Sequence, residues 1–185
     1  MQIFDTMIDI ETIATDPDAV IVSIAAVKFD PFDDYRQKGV TVGDLPGFNM
    51  LIDIDSQPDR KISDSTLSWW SQQDPVVQES IFGESHPRHT LTEGLEALHK
   101  FVWNSGGRVW AQGTHFDIAI LEHAYRSINR AYPWQYWAVR DSRTLLDMVA
   151  VNLPAATHDA MEDCFRQIVG VQQAVSALGV QKFVR

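Results

Sequence analysis

Two carboxylates lie two residues apart in an otherwise apolar segment near the start of the chain. Residues 3–12 read IFDTMIDIET, an alternation typical of a β-strand. Asp9 and Glu11 leave one face of such a strand, and isoleucines leave the other. Like charges about 7 Å apart on a strand apolar enough to be central repel each other and lose hydration. A hard divalent cation with oxygen ligands would satisfy both carboxylates. The alternative is an edge strand with a solvated acidic face.

Composition limits the classes of protein to which this chain can belong. With 185 residues, 45% hydrophobic and 22% charged, the sequence predicts one globular domain over residues 1–185. The formal net charge of −10 argues against a protein that binds nucleic acid by bulk electrostatics. It leaves room for an enzyme whose acidic centre meets a polyanion through bound metal ions.

The sequence also predicts an intracellular location. The single cysteine, Cys164, excludes an internal disulfide framework and fits a reducing compartment. The longest apolar run, residues 20–27, is too short to span a membrane, so we expect no membrane contact. The acidic start MQIFDTMIDIE lacks the basic and apolar regions of a signal peptide.

Hydrophobic periodicity predicts an α/β fold. Three strands, at residues 3–12, 20–29 and 48–54, follow one another without a helix and predict an antiparallel meander. The later pattern predicts two further strands, at residues 108–112 and 137–140. It predicts helices at residues 64–73, from 75 onward, and at 91–103, 116–128, 142–151 and 158–178. This order predicts a mixed sheet, three antiparallel strands followed by parallel strands, flanked by α-helices.

Further candidate residues occur at two helix starts. Asp117 follows Gly113 at a strand-to-helix corner, the kind of position where ligands collect in open α/β sheets. Its alternative role is to complement the helix dipole. His158 and Asp163 are five residues apart, so they can face one site only if His158 lies at or before the start of the last helix. Otherwise His158 is an ordinary surface residue.

Taken in order, these motifs resemble a known family. D-x-E on a first strand, F-D at a mid-chain corner and H-x4-D late in the chain match the DEDD 3′–5′ exonucleases of RNase H-like fold. The resemblance assigns the family's four metal-binding acids to Asp9, Glu11, Asp117 and Asp163. It assigns the general base to His158. The family's other branch has a tyrosine where this chain has Asp159, so the chain resembles the histidine branch.

A narrower resemblance covers residues 65–73, 140–144 and 158–164. These segments are similar to the phage exonuclease A group and to related small bacterial exoribonucleases. The resemblance implies an intracellular, bacterial or phage-encoded 3′–5′ exonuclease that uses two Mg²⁺ or Mn²⁺ ions and releases nucleoside 5′-monophosphates. It implies a substrate of DNA or RNA with a single-stranded 3′ end or a 3′ overhang. The resemblance does not decide between deoxyribose and ribose in the substrate. It also leaves the oligomeric state open, with a homodimer as one possibility.

Five other residues are candidates for substrate contact. Trp69 and Trp70 point about 100° apart on a helix, so one can pack in the core while the other stacks on a terminal base. Core packing of both is the alternative. Arg140 and Arg143 could hold phosphates or could pair with nearby aspartates. Phe116, next to Asp117, is the fifth candidate.

Two other functions compete with the exonuclease. An aspartyl phosphatase could use Asp9 as its nucleophile, but that chemistry requires an aspartate at position 11 and a late lysine. Glu11 and the absence of lysine between Lys100 and Lys182 count against it. A catalytically silent nucleic-acid-binding or protein-binding module with the same fold is the second alternative. All five motif positions being filled counts against such a module.

Overall fold

The computed structural model describes residues 4–103 and 106–181. Within these residues, six strands form one mixed sheet in the order β4-β3-β2-β1-β5-β6. The strands are β1 (Phe4–Thr12), β2 (Ile21–Phe29), β3 (Gly47–Ile52), β4 (Arg88–His89), β5 (Gly106–Ala111) and β6 (Val139–Asp141). The predicted first strand included residue 3, which lies outside the described residues.

Strand pairing confirms the expected mixed α/β sheet. β1 pairs antiparallel with β2, and β2 pairs antiparallel with β3, which gives the predicted meander. β5 then runs parallel to β1, and β6 runs parallel to β5. The prediction missed β4, a two-residue strand parallel to β3, because two residues carry no periodicity. The fold is therefore RNase H-like, with β1 in the interior of the sheet.

Seven α-helices accompany the sheet in the described residues. They are α1 (Tyr35–Lys38), α2 (Asp64–Trp70), α3 (Pro75–Phe82), α4 (Leu91–Trp103), α5 (Asp117–Ser127), α6 (Ser142–Leu146) and α7 (Ala160–Ala177). The sequence predicted no helix between the second and third strands, and this was wrong, because α1, a single helical turn, lies between β2 and β3. Asp34 caps α1, and Gly39 ends it in the left-handed conformation, with φ at 67°.

Three predicted helix boundaries need correction. α2 ends at Trp70 rather than at residue 73, because residues 72 and 73 continue in turns whose N–H groups donate to carbonyls three residues back. α6 ends at Leu146 rather than at residue 151, because residues 147–149 continue in tight turns in which Met148 and Val149 donate to carbonyls three residues back. α7 begins at Ala160 rather than at residue 158. The side chain of Asp159 caps α7 by accepting from the backbone N–H groups of residues 161 and 162.

The helices cover the two faces of the sheet. Ile8 and Ile10 of β1 join the apolar cluster that α4 and α5 complete on one face. Met7 of β1 joins a second cluster on the opposite face, where α7 contributes Cys164 and Ile168. Asp9 and Glu11 follow Met7 at two-residue spacing, so their side chains lie on the α7 face.

Local sequence features explain how α4 packs. Thr90 and Glu93 form a capping box, in which the Thr90 N–H donates to Glu93 at 2.9 Å and the Glu93 N–H donates to Thr90 Oγ1 at 3.3 Å. Gly94 then lets α4 approach the sheet closely. A Cβ at this position would lie 2.5 Å from Cδ1 of Ile52.

The described part of the chain contains no helix that is both long enough and apolar enough to cross a lipid bilayer.

Candidate functional site

The two carboxylates of β1 lie on an interior strand. β1 is hydrogen-bonded to β2 on one side and to β5 on the other, so the edge-strand alternative is wrong. Asp9 stands opposite Ala25 and Glu11 opposite Ser23, both on β2. Small neighbours on β2 leave room above the strand for both acidic side chains.

Asp117 reaches the same place from the start of α5. The corner after β5 turns at Gly113, whose φ of 109° suits glycine, and the Phe116 N–H donates to the Gly113 carbonyl at 2.8 Å. The buried Asp117 side chain accepts a hydrogen bond of 3.1 Å from the backbone N–H of Ile10. This bond ties the third carboxylate to β1 between Asp9 and Glu11.

His158 and Asp163 meet because the chain reverses before α7. His158 has a φ of 59°, in the left-handed region that few non-glycine residues occupy. Both oxygens of Asp163 lie within 3.2 Å of the Thr157 backbone nitrogen, and the His158 N–H donates to Oδ2 at 2.9 Å. His158 therefore lies before the start of α7, which is the position it needs in order to face the same site as Asp163. One potential ligand atom from each of Glu11, His158 and Asp163 lies within 4.8 Å of the other two.

The carboxylates share one open pocket of about 290 Å³. Its lining includes the five motif residues and two of the five candidates for substrate contact. These seven are Asp9, Glu11, Phe116, Asp117, Arg143, His158 and Asp163. The structure thus brings together side chains from β1, from the corner before α5, and from the start of α7. Arg140 does not line this pocket; its guanidinium donates to the carbonyls of Trp137 and Val139.

Trp69 and Trp70 have different environments. Trp70 is buried, and its indole N–H donates to the Thr12 carbonyl at 2.9 Å. Trp69 is 40% exposed, and its ring lies perpendicular to the His158 ring at a centroid distance of 4.8 Å. One tryptophan therefore packs in the core, and the other presents a ring beside the pocket.

Three polar residues of the site were missed by the sequence analysis. Arg166 donates to Asp163 through Nε at 3.0 Å and to the Gln112 side chain through Nη2 at 3.0 Å. Gln167 donates from Nε2 to Oδ1 of Asp9 at 2.6 Å. Arg166 and Gln167 are three and four residues beyond Asp163, so helical spacing alone could have placed both on its face.

Burial and mutual repulsion strongly perturb the acids. Burial raises the pKa of Glu11 to about 10, with further contributions from the charges of Asp9 and Asp163. Burial also raises the pKa of Asp9 to about 7, against the opposing hydrogen bond from Gln167. Burial, followed by repulsion from Asp9, raises the pKa of Asp117 well above its usual range. A cluster of this kind is stable in its charged form only with added positive charge, and its oxygen donors fit hard divalent cations.

Sequence comparison adds a family match. Residues 5–175 match the family model described as the 3′–5′ exoribonuclease Rv2179c-like domain. The exodeoxyribonuclease of Enterobacteria phage T4 is 26% identical to this chain. That alignment covers 96% of this chain and 92% of the phage protein.

Solved structures of E. coli exonuclease I are similar in fold. The zinc-bound complex with single-stranded DNA has a TM-score of 0.69 and 12% identity, and the match covers 97% of this chain and 42% of that chain. The complex with a dT13 oligonucleotide has a TM-score of 0.65 and 12% identity, covering 95% of this chain and 41% of that chain. At this identity the likeness shows the fold alone. The chain spans about two fifths of the length of these neighbours.

Proposed function

The chain belongs to the 3′–5′ exoribonuclease Rv2179c-like family of 3′–5′ exonucleases, and we propose that it trims single-stranded DNA or RNA from the 3′ end with two divalent cations. The products would be nucleoside 5′-monophosphates. The proposal covers residues 1–185 as one exonuclease domain that acts inside the cell. The family match favours this activity over a silent binding module or an aspartyl phosphatase.

One observation carries the proposal. Four carboxylates and one imidazole from three separate segments line the same pocket. Burial and repulsion make the cluster unfavourable in its charged form, so the cluster fits a role in binding cations rather than a role in folding. We assign the cation ligands to Asp9, Glu11, Asp117 and Asp163.

Mg²⁺ or Mn²⁺ ions held by these acids would supply Lewis acidity at the scissile phosphate and lower the pKa of a bound water. The ions would also let a chain of net charge −10 accept a polyanion. His158 would act as the general base, its imidazole taking the proton of the attacking water. The left-handed conformation of His158 and its backbone bond to Asp163 fit this role, because they fix the backbone of a residue that lines the pocket, and the Trp69 ring packs against the imidazole.

Residues beside the acids would position the 3′-terminal nucleotide. The exposed ring of Trp69 offers a stacking surface for the terminal base. Phe116 lines the pocket and can contact the sugar. Arg143 lies within the pocket wall and can pair with a phosphate bidentately. Arg140, which points to carbonyls instead, has no comparable place in the proposal.

The substrate assignment rests on the relatives. The family description names an exoribonuclease, the phage relative is named an exodeoxyribonuclease, and the E. coli neighbours are bound to single-stranded DNA. We therefore propose a single-stranded 3′ end, or a 3′ overhang, as the shared feature of the substrate.

The test uses DNA and RNA oligomers of one sequence, labelled at the 5′ end, with the purified protein and Mn²⁺. We expect a ladder that shortens one nucleotide at a time and products that are 5′-monophosphates. A 3′-phosphate should block the reaction, whereas a blocked 5′ end should not. Equal cleavage of circular substrates would contradict an exonuclease. The ratio of the DNA and RNA rates would give the preferred sugar.

A further inference from the structure

We propose that Gln167 is a positioning residue that fixes Asp9 for cation binding. This inference rests on the proposed function, because it assigns a role toward a cation held by Asp9. Gln167 lies on α7, one turn after Asp163, and its side chain lines the pocket of the acids. Neither the motif nor the expected chemistry of the site uses it.

The geometry joins Gln167 directly to Asp9. Its Nε2 donates to Oδ1 of Asp9 at 2.6 Å, from a residue that is only 2% exposed. Oδ1 of Asp9 is thereby engaged with a neutral donor. In the described part of the chain, no side chain donates to Oδ2 of Asp9, so this is the oxygen left to serve as a ligand. A donor fixed in this way selects one orientation of the carboxylate.

The other end of the same amide argues against a role in folding. Oε1 of Gln167 is buried and has no hydrogen-bond partner in the described residues. A buried acceptor without a partner costs stability, so methionine or leucine would suit a purely structural position better. An unsatisfied group at this position is expected where function, rather than stability, maintains the residue.

Gln172, five residues further along the same helix, is the matched comparison. It is 3% exposed, and both ends of its amide are satisfied. Its Oε1 accepts from the Tyr35 N–H at 3.1 Å, and its Nε2 donates to the Asp30 carbonyl at 2.8 Å. Gln172 has the contacts of a structural amide and lies away from the acids. Gln167 has one hydrogen bond, and that bond ends on a proposed ligand.

The test measures Mn²⁺ affinity directly, by calorimetry on the protein without substrate. The variants are Gln167→Met, which keeps the length but loses the donor, and Gln167→Asn, which keeps the amide but is one methylene too short to reach Asp9. Loss of an outer-shell partner typically weakens metal binding by about 10- to 100-fold, and we expect this loss for both variants. The Mn²⁺ concentration for half-maximal hydrolysis should rise by the same factor, with activity recovering at high Mn²⁺.

Gln172→Met is the control. It should lower the melting temperature of the metal-free protein and leave Mn²⁺ affinity within about twofold of the parent, because the lost bonds are remote from the acids. Gln167→Met should show the opposite pattern, a nearly unchanged melting temperature and weak Mn²⁺ binding. Mn²⁺ affinity at the parent value in both folded Gln167 variants would overturn the inference and leave the proposed function intact. A parent protein that binds no Mn²⁺ would overturn both.

Discussion

The backbone N–H of His158 donates a 2.9 Å hydrogen bond to Oδ2 of Asp163. The proposed base is therefore held by the carboxylate of a proposed cation ligand. His158 also has a φ of 59°, so the reversal before α7 depends on a conformation that disfavours most side chains. Substitutions at this residue must respect the backbone if they are to report on the imidazole.

For this reason we choose His158→Asn to test the base. Asparagine tolerates the left-handed conformation better than alanine does, so the backbone bond to Asp163 should survive. A positioned general base contributes about 10²- to 10⁴-fold, and we expect kcat to fall by that factor with little change in substrate affinity. The measurement is kcat per folded molecule, beside a thermal melt. His158→Gly provides a second test, since it removes the imidazole without backbone strain. Turnover within a few-fold of the parent would exclude His158 as the base.

Glu11 predicts how the stability of the metal-free protein depends on pH. Burial raises its pKa from the usual 4.5 to about 10, so between these values the folded protein holds a proton that the unfolded chain has released. The unfolding free energy should therefore fall as pH rises through this range. Glu11→Gln should flatten that fall and stabilise the metal-free protein at pH 8.

Urea titrations in chelator at several pH values measure this effect. Glu162→Gln is the control. Glu162 is exposed on the same helix as Asp163, so this substitution removes one charge without changing the acidic cluster. It should follow the parent. The same slope in the parent and in Glu11→Gln would show that Glu11 is ionised in the folded protein, contrary to its burial among acids.

Trp69 should contribute to binding rather than to the chemical step. Stacking of a base on an aromatic ring is worth about 1–3 kcal/mol, so Trp69→Ala should weaken oligonucleotide binding by roughly 5- to 150-fold. Fluorescence anisotropy with Ca²⁺ in place of Mg²⁺ measures this affinity without efficient hydrolysis. Trp103→Ala is the control. Trp103 is 66% exposed on α4, which covers the face of the sheet opposite to the acids and α7. Equal affinities of the two variants would remove Trp69 from the substrate site.

Arg143 and Arg140 form a matched pair for phosphate contact. Arg143 lines the acidic pocket and makes one long bond of 3.3 Å to the Gln112 carbonyl, whereas the Arg140 guanidinium lies outside the pocket and donates to the Trp137 and Val139 carbonyls at 2.6 and 2.7 Å. Arg143→Met should weaken binding of DNA and RNA alike and reduce the slope of log affinity against log salt by about one. Arg140→Met should leave that slope unchanged. Anisotropy titrations at several salt concentrations test both variants, and an unchanged slope for Arg143→Met would contradict the assignment.

The sequence was sufficient to predict the parts of the site that follow from short-range rules. Strand alternation put Asp9 and Glu11 on one face, and the H-x4-D spacing required His158 to precede the helix, as the structure shows. Sequence alone could not separate Arg140 from Arg143. That difference depends on where β6 ends and α6 begins, which is decided by pairing with β5.

Gln167 shows a different limit of sequence reasoning. The sequence analysis missed this residue: its spacing from Asp163 could have placed it on the correct helix face, but its partner is Asp9, 158 residues away. Only the packing of α7 against β1 brings the two side chains together. The left-handed conformation of His158 was equally hidden, because it arises from the bonds that Asp163 accepts from residues 157 and 158.

The most direct test of the central claim is hydrolysis of a 5′-labelled single-stranded oligonucleotide by chelator-treated protein, with and without added Mn²⁺. Because four clustered acids are proposed to act through divalent cations, we expect no shortening in chelator and stepwise 3′ shortening once Mn²⁺ is in excess. Asp163→Asn should remain inactive at every Mn²⁺ concentration while still folding. Full turnover of the parent in chelator, or parent-like turnover by Asp163→Asn, would contradict the account.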